Sequence, residues 1–157
     1  MRLIPLTQGK FAKVDDADYQ ELISYNWIFN NGYAFRHLSL DRSTGKRSRI
    51  MMHRQLMNTP KGMDTDHINR DRLDNRRSNL RVCTRSQNMA NKGLKSNNTT
   101  GYAGVSLTMY RRTPKKYQAR ISYEGRVIHL GYSNSKLEAY KLYKKAHKEL
   151  FKDFSPY

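Results

Sequence analysis

Residues 66–83 read Asp66-His67-Ile68-Asn69-Arg70-Asp71-Arg72-Leu73-Asp74-Asn75-Arg76-Arg77-Ser78-Asn79-Leu80-Arg81-Val82-Cys83. The stretch is nearly all polar as far as Asn79, and then Leu80 to Cys83 reads as a brief half-buried strand. This pattern predicts a polar loop between two short strands, with Asp66 and His67 ending the first of them. Thr84, followed three residues later by Gln87, makes a capping-box pattern, and Gly93 supplies a stop, so a short helix is expected over residues 85–92. The order strand, loop, strand, helix would bring Asp66, His67 and Asn88 together. Adjacent strand residues point to opposite faces, so the chain must bend at His67 for both side chains to serve one site.

These residue types suit one kind of chemistry. Hydrolysing a phosphodiester needs a base for the attacking water, a cation for the crowded negative charge and donors that fix geometry. His67 titrates ordinarily near about pH 6.5 and can take a proton at neutral pH. Asp66 offers a hard carboxylate oxygen of the kind magnesium or manganese prefers, and the amide oxygen of Asn88 could complete the protein's share of coordination. Asn79 both donates and accepts, so it can pin the loop or orient the His67 ring. Arg76 and Arg81 read either as contacts to the scissile region or as loop stabilisers paired with Asp71 or Asp74. His53, upstream, reads either as an aid to phosphate binding or as a structural residue. Cys83 reads as a small apolar strand residue.

Toward the N-terminus, short alternating stretches at residues 11–14 and 33–38 read as strands, separated by Gly9, Asp15-Asp16 and Asn30-Asn31-Gly32. Residues 16–25 carry Tyr19, Leu22 and Ile23 at helical spacing behind an acidic start, which predicts a short helix. Trp27 is the expected anchor of a small core. An apolar run over residues 50–57 ends at the turn signal Pro60-Lys61-Gly62.

Toward the C-terminus, the polar stretch Ser96-Asn97-Asn98-Thr99-Thr100-Gly101 is a candidate linker. Beyond it, Val105, Leu107 and Met109, then Tyr117, Ala119, Ile121 and Tyr123, then Ile128, Leu130 and Tyr132 alternate with mostly polar neighbours, which predicts a three-stranded meander. Leu137, Tyr140, Tyr143, Ala146 and Leu150 place a covering helix over residues 135–151. The expected fold is therefore α+β: an N-terminal β-rich region leading into the strand–loop–strand–helix motif, then a three-stranded antiparallel sheet packed on one C-terminal helix. The expected domains are residues 1–94, with the motif at 63–92, and residues 95–157.

Composition narrows the partner. The 157 residues include 30 Lys and Arg against 13 Asp and Glu, a net charge of +17, a self-repulsion that a polyanion offsets. No acid occurs between Asp74 and Glu124, which suggests a phosphate-tracking surface across both parts. The basic helix residues Lys141, Lys144, Lys145 and Lys148 read mainly as a solvated face. The single cysteine excludes an internal disulfide and a cysteine-based zinc cluster. Neither a secretion signal nor a membrane span is visible, so a soluble cytoplasmic protein is expected.

Asp66-His67-Ile68-Asn69, Asp74-Asn75-Arg76, Ser78-Asn79-Leu80-Arg81 and Asn88 resemble the HNH endonuclease motif, in the version common among homing endonucleases. The resemblance implies a ββα-metal fold with His67 as general base, Asn79 as the middle asparagine, and Asp66 with Asn88 as ligands to one divalent ion, Mg2+ or Mn2+. The third motif position is Asn where many relatives have His. Gly101-Tyr102-Ala103-Gly104-Val105, Tyr117-Gln118-Ala119-Arg120-Ile121, Ile128-His129-Leu130-Gly131-Tyr132 and the helix beyond resemble the DNA-binding domain of plant ethylene-response factors, the apetala-two class. That resemblance implies a sheet lying in the major groove of double-stranded DNA. Its exposed face would offer Ser106, Thr108, Gln118, Arg120, Ser122 and His129, with Arg111, Arg112, Lys115 and Lys116 toward phosphates. The expected activity is a metal-dependent DNA endonuclease leaving 5′-phosphate and 3′-hydroxyl ends, nicking as a monomer and cutting both strands only as a dimer. The alternative is a non-catalytic, sequence-specific DNA-binding regulator. An RNA-associated protein ranks last, because the aromatic signature of a single-strand RNA module is missing.

Overall fold

In the first strand, β1 (Arg2–Pro5), alternation buries Ile4, and in β2 (Phe11–Val14) it buries Ala12 and Val14; the two pair antiparallel from Arg2 opposite Val14 to Pro5 opposite Phe11. The computed structural model to which these strands belong describes residues 1–94, 96–108 and 116–157, and the chain divides into two units, Met1–Arg85 and Ser86–Tyr157. Among the described residues no helix is long and apolar enough to cross a membrane.

In the first unit, helix α1 (Asp16–Ile23) packs on β1 and buries Leu22. Trp27 lies in the core as expected, its indole Nε1 donating to the Leu22 carbonyl at 2.8 Å. A second sheet follows, β3 (Ile28–Asn30), β4 (Tyr33–Asp41) and β5 (Lys46–Met51), antiparallel in the order β3-β4-β5. The β3–β4 turn puts Asn31 at φ 49° and Gly32 at φ 84°, the left-handed pair that matches the twist of a tight hairpin. The apolar run beyond β5 forms a five-residue helix, α2 (Met52–Leu56), burying Met52 and Leu56 one turn apart. Its sequence is too short for periodicity to separate helix from strand.

The motif strands β6 (Asp64–His67) and β7 (Leu80–Cys83) pair antiparallel, Asp66 opposite Arg81 and His67 opposite Leu80. The loop between them is stitched to the N-terminal hairpin. Lys13 N–H donates to the Leu73 carbonyl and Asn75 N–H to the Lys13 carbonyl, both at 2.8 Å. Arg77 adds a second clamp, binding both carboxylate oxygens of the buried Asp18 on α1 at 2.8–3.2 Å and the Leu56 carbonyl at 2.9 Å. Helix α3 (Arg85–Ala90) follows β7, two residues shorter at its C-terminal end than the capping pattern suggests.

The second unit contains the anticipated meander and helix: β8 (Val105–Leu107), β9 (Tyr117–Tyr123) and β10 (Arg126–Ser133) in the order β10-β9-β8, with α4 (Lys136–Phe151) packed on them. Residues 96–101 contain an ordered turn: Asn98 Oδ1 accepts from the backbone of Thr100 and Gly101, and Thr100 Oγ1 donates to the Val105 carbonyl at 2.9 Å. Such side chains satisfy backbone groups without an apolar signal, which is why the stretch reads as a linker. On α4 the buried residues are Ala139, His147 and Phe151, spaced by multiples of four, and Leu137 is 51% exposed. The stripe is rotated from the expected one because His147 replaces an aliphatic residue in it. Its ring is bonded to Ser155 Oγ at 2.9 Å and to the backbone of Ala90, and burial holds it below its ordinary pKa.

Gly104, at φ +68°, lets this layer close. A Cβ there would meet the Tyr143 ring at 2.0 Å and the Arg120 carbonyl oxygen at 2.7 Å. Gly104→Ala is expected to destabilise the protein by about 2–4 kcal/mol through strain and overpacking together. Gly125 also has positive φ but open space around its Cβ position, so Gly125→Ala should cost distinctly less in the same urea titration. Equal losses would show that crowding at Gly104 is not the cause.

Candidate active site

His67 is the last residue of β6. The chain turns directly after it, with Arg70 N–H returning to the His67 carbonyl at 2.9 Å and Arg70 in the left-handed region at φ 66°. The turn leaves the imidazole buried and Ile68 exposed. Ring nitrogen Nε2 of His67 lies 3.3 Å from Asn75 Oδ1. His53, from α2, stands edge-on with ring centres 5.0 Å apart, and the Tyr33 ring lies 6.1 Å from His67 and 5.4 Å from His53. Burial pushes the His67 imidazole below its ordinary value, opposed chiefly by the Asn75 hydrogen bond, so the ring is neutral at pH 7.

Asn75 is 1% exposed, and its Nδ2 has no hydrogen-bond partner among the described residues. Its backbone N–H is one of the two stitches to Lys13, so β2 sets where this amide sits. Asn79 performs the loop-pinning role: Nδ2 donates to the Asp74 carbonyl at 2.7 Å and Oδ1 accepts from Asn69 N–H at 3.0 Å. It is Asn75, rather than Asn79, that touches the imidazole.

The carboxylates of the motif are gripped by arginines. Asp66 is buried, and its Oδ2 accepts from Arg81 Nε at 2.9 Å and Nη2 at 2.7 Å. Asp74, also buried, accepts from Arg76 Nε at 2.8 Å, Arg76 Nη2 at 2.6 Å and Asn69 Nδ2 at 2.9 Å. The Arg76 bond holds the Asp74 carboxyl below the usual carboxylate range. Arg76 is thus paired with Asp74, and Arg81 with Asp66 rather than with Asp71. Cys83 is buried, and burial pushes its thiol up to about 11, which makes it an inert packing residue.

Sequence reading gave no role to Asn75 or Tyr33. Asn75 lies inside the Asp74-Asn75-Arg76 block and was open to inspection there. Tyr33 belongs to a distant hairpin, and no local pattern links it to the motif.

In the second unit, Asn88 is half-buried on α3. Arg120 and Ser122 on β9 and His129 on β10 are exposed, Ser106 and Thr108 are half-buried and Lys116 is exposed. Arg120 pairs with His129 across the strands, and an open depression of about 380 Å³ is lined by Gly104, Val105, Ser106, Arg120, Ser122 and Val127. Gln118 departs from the exposed position expected for it: it is 7% exposed, with Nε2 turned to the Leu107 carbonyl at 3.4 Å. Leu107, expected in the core, is 48% exposed. The proposed phosphate contacts Arg111, Arg112 and Lys115 lie outside the described residues.

Residues 58–90 match the family of HNH endonucleases. No curated protein and no solved structure matches the chain. The matched segment spans Asp66, His67, Asn75, Asn79 and Asn88, and it supports a nuclease of the HNH type, a hydrolase acting on DNA.

The His53 environment can be read out by acid. Burial, with His67 and Arg54 adding to it, pushes the His53 imidazole from 6.5 to about 3. Below about pH 6.5 the unfolded chain binds a proton at this position and the folded chain does not, so stability falls as pH drops toward 3. The loss between pH 7 and pH 4.5 should be about 2–3 kcal/mol from this residue. His53→Gln should show a correspondingly shallower decline of its urea midpoint over that range; an identical decline would mean that His53 is not held neutral.

Proposed function

We propose that the chain is a divalent-metal-dependent DNA endonuclease of the HNH homing type. The observation that carries the proposal is a buried neutral imidazole, His67, bonded by Asn75 and adjacent in sequence to the Asp66 carboxylate, within the segment that matches HNH endonucleases. With the Nε2 proton donated to Asn75 Oδ1, the lone pair lies on Nδ1, which takes the proton from the attacking water.

The donor chemistry suits a magnesium-like ion. The donors assigned to it are oxygens, the Asp66 carboxylate and the Asn88 amide, of the kind that such a cation takes together with water and substrate phosphate. Asp66 and Asn88 would hold the ion, and Arg81 on Oδ2 would orient the Asp66 carboxylate. Such an ion supplies Lewis-acid stabilisation of the charge on the phosphate and the departing 3′ oxygen. The products are 5′-phosphate and 3′-hydroxyl ends. One site per chain nicks one strand, and a pair of chains is needed to cut both.

The second unit is the duplex-binding part, in the manner of the apetala-two class, through Arg120, Ser122, His129, Ser106 and Thr108, with Arg111, Arg112, Lys115 and Lys116 on phosphates. Binding of duplex DNA should weaken by about 10³–10⁵-fold between 50 and 200 mM salt if six to ten phosphates are engaged; a flat response in a titration would contradict this surface.

His67→Ala should remove at least about 99% of magnesium-stimulated plasmid nicking while sparing DNA binding. Nicking at the wild-type rate would overturn the base assignment. A second reading, a DNA-binding regulator that keeps the motif only as a scaffold, draws support from the Arg81–Asp66 pair, in which two guanidinium N–H groups converge on Oδ2 and place a cation on the carboxylate an ion would need. Salt-sensitive binding with no nicking in magnesium or manganese would favour it.

A further inference from the structure

The arginines around the motif differ in what holds them. Arg76, Arg77, Arg81 and Arg85 are each paired with a carboxylate, of Asp74, Asp18, Asp66 and Asp64 respectively. Arg72 is held by neutral groups instead. Its Nη1 donates to the Asn31 carbonyl at 3.1 Å, its guanidinium lies 4.6 Å from the centre of the Tyr33 ring, and its stem crosses Gly32 so closely that a Cβ there would meet Arg72 Cδ at 3.3 Å. Asn31, Gly32 and Tyr33 are consecutive residues of the β3–β4 turn and the start of β4, so one hairpin fixes the stem, the charged head and the surface beneath it.

That surface is also the wall of the active site, since the same Tyr33 ring lies 6.1 Å from the His67 imidazole. A guanidinium has five N–H donors, and one of them is engaged by Asn31. The side chain is exposed. A full positive charge, oriented in advance and not neutralised by a carboxylate among the described residues, therefore stands one aromatic ring away from the proposed base. The ligand that such a fork recognises best is a phosphate oxygen pair.

We propose that Arg72 binds a backbone phosphate of the DNA strand being cut, beside the scissile linkage, with Tyr33 and Asn31 holding it in place. This assignment rests on the nuclease reading above. It gives the N-terminal hairpin a substrate-positioning role and adds Arg72 to the phosphate contacts considered for Arg76 and Arg81.

The test uses the full chain and a short duplex spanning a nick position first mapped on plasmid DNA. Single neutral methylphosphonates replace phosphates one at a time on either side of the cut, and wild type and Arg72→Gln are compared in magnesium. On unmodified duplex, Arg72→Gln should lose about tenfold to a hundredfold in kcat/KM, the scale of one charged hydrogen-bonded contact. At one flanking position the methylphosphonate should slow the wild type and leave Arg72→Gln unaffected, because the interaction is already gone. Slowing by the same factor in both proteins at every position overturns the proposal, as does a variant within about threefold of wild type on unmodified DNA. If Arg72→Gln melts well below the wild type, Arg72→Met, which keeps an unbranched apolar stem across Gly32 without the charge, is compared in the same way, and equal slowing again overturns it. Absence of nicking by the wild type itself would instead sink the nuclease reading.

Discussion

Two backbone hydrogen bonds govern the site. Lys13 N–H to Leu73 and Asn75 N–H to Lys13, both 2.8 Å, tie the motif loop to the edge of β2. A loop as polar as residues 68–79 has little apolar surface to bury, and chain entropy would disperse it without such anchors. The stitches put the Asn75 amide at the Nε2 edge of the His67 ring, while Arg77 on Asp18 and Asn79 across the loop mouth hold the segment in place. The first strands of the protein are thus part of the machinery that orients the imidazole.

The motif was legible because its chemistry is local. Asp66, His67 and the two-strand frame lie within a span whose polarity pattern and turn residues announce them. The meander of the second unit was legible for a similar reason: period-two alternation in β9 survives folding almost intact. Gln118 marks the limit, since alternation names the face of a residue but not whether a neighbouring carbonyl will draw it inward. The rotated stripe of α4 was hidden because a histidine with two polar partners can occupy a core position that hydropathy reserves for leucine. Tyr33 and Arg72 were invisible for a deeper reason. Their meeting depends on the β3–β4 turn reaching the motif loop, a tertiary event with no trace in either segment alone.

Charge is distributed by the same logic in the first unit. Acids are scarce, yet the buried Asp18, Asp66 and Asp74 each take an arginine. A buried carboxylate without its partner is costly, on the order of 3–5 kcal/mol when one side of the pair is removed. These pairs therefore consume cations that composition alone would assign to DNA, and the basic surface available for a polyanion is smaller than the count of 30 Lys and Arg implies.

Among the described residues, Asn75 Nδ2 is a donor without a partner at a fully buried position of the first unit. A buried donor with nothing to bond carries a penalty of about 1–3 kcal/mol, which an aliphatic residue of similar shape would escape. Breeding this protein for heat resistance alone would discard that amide early, and the ring it steadies would then be free to turn. Under the nuclease reading proposed above, thermal hardening and catalytic decay would arrive in the same variant.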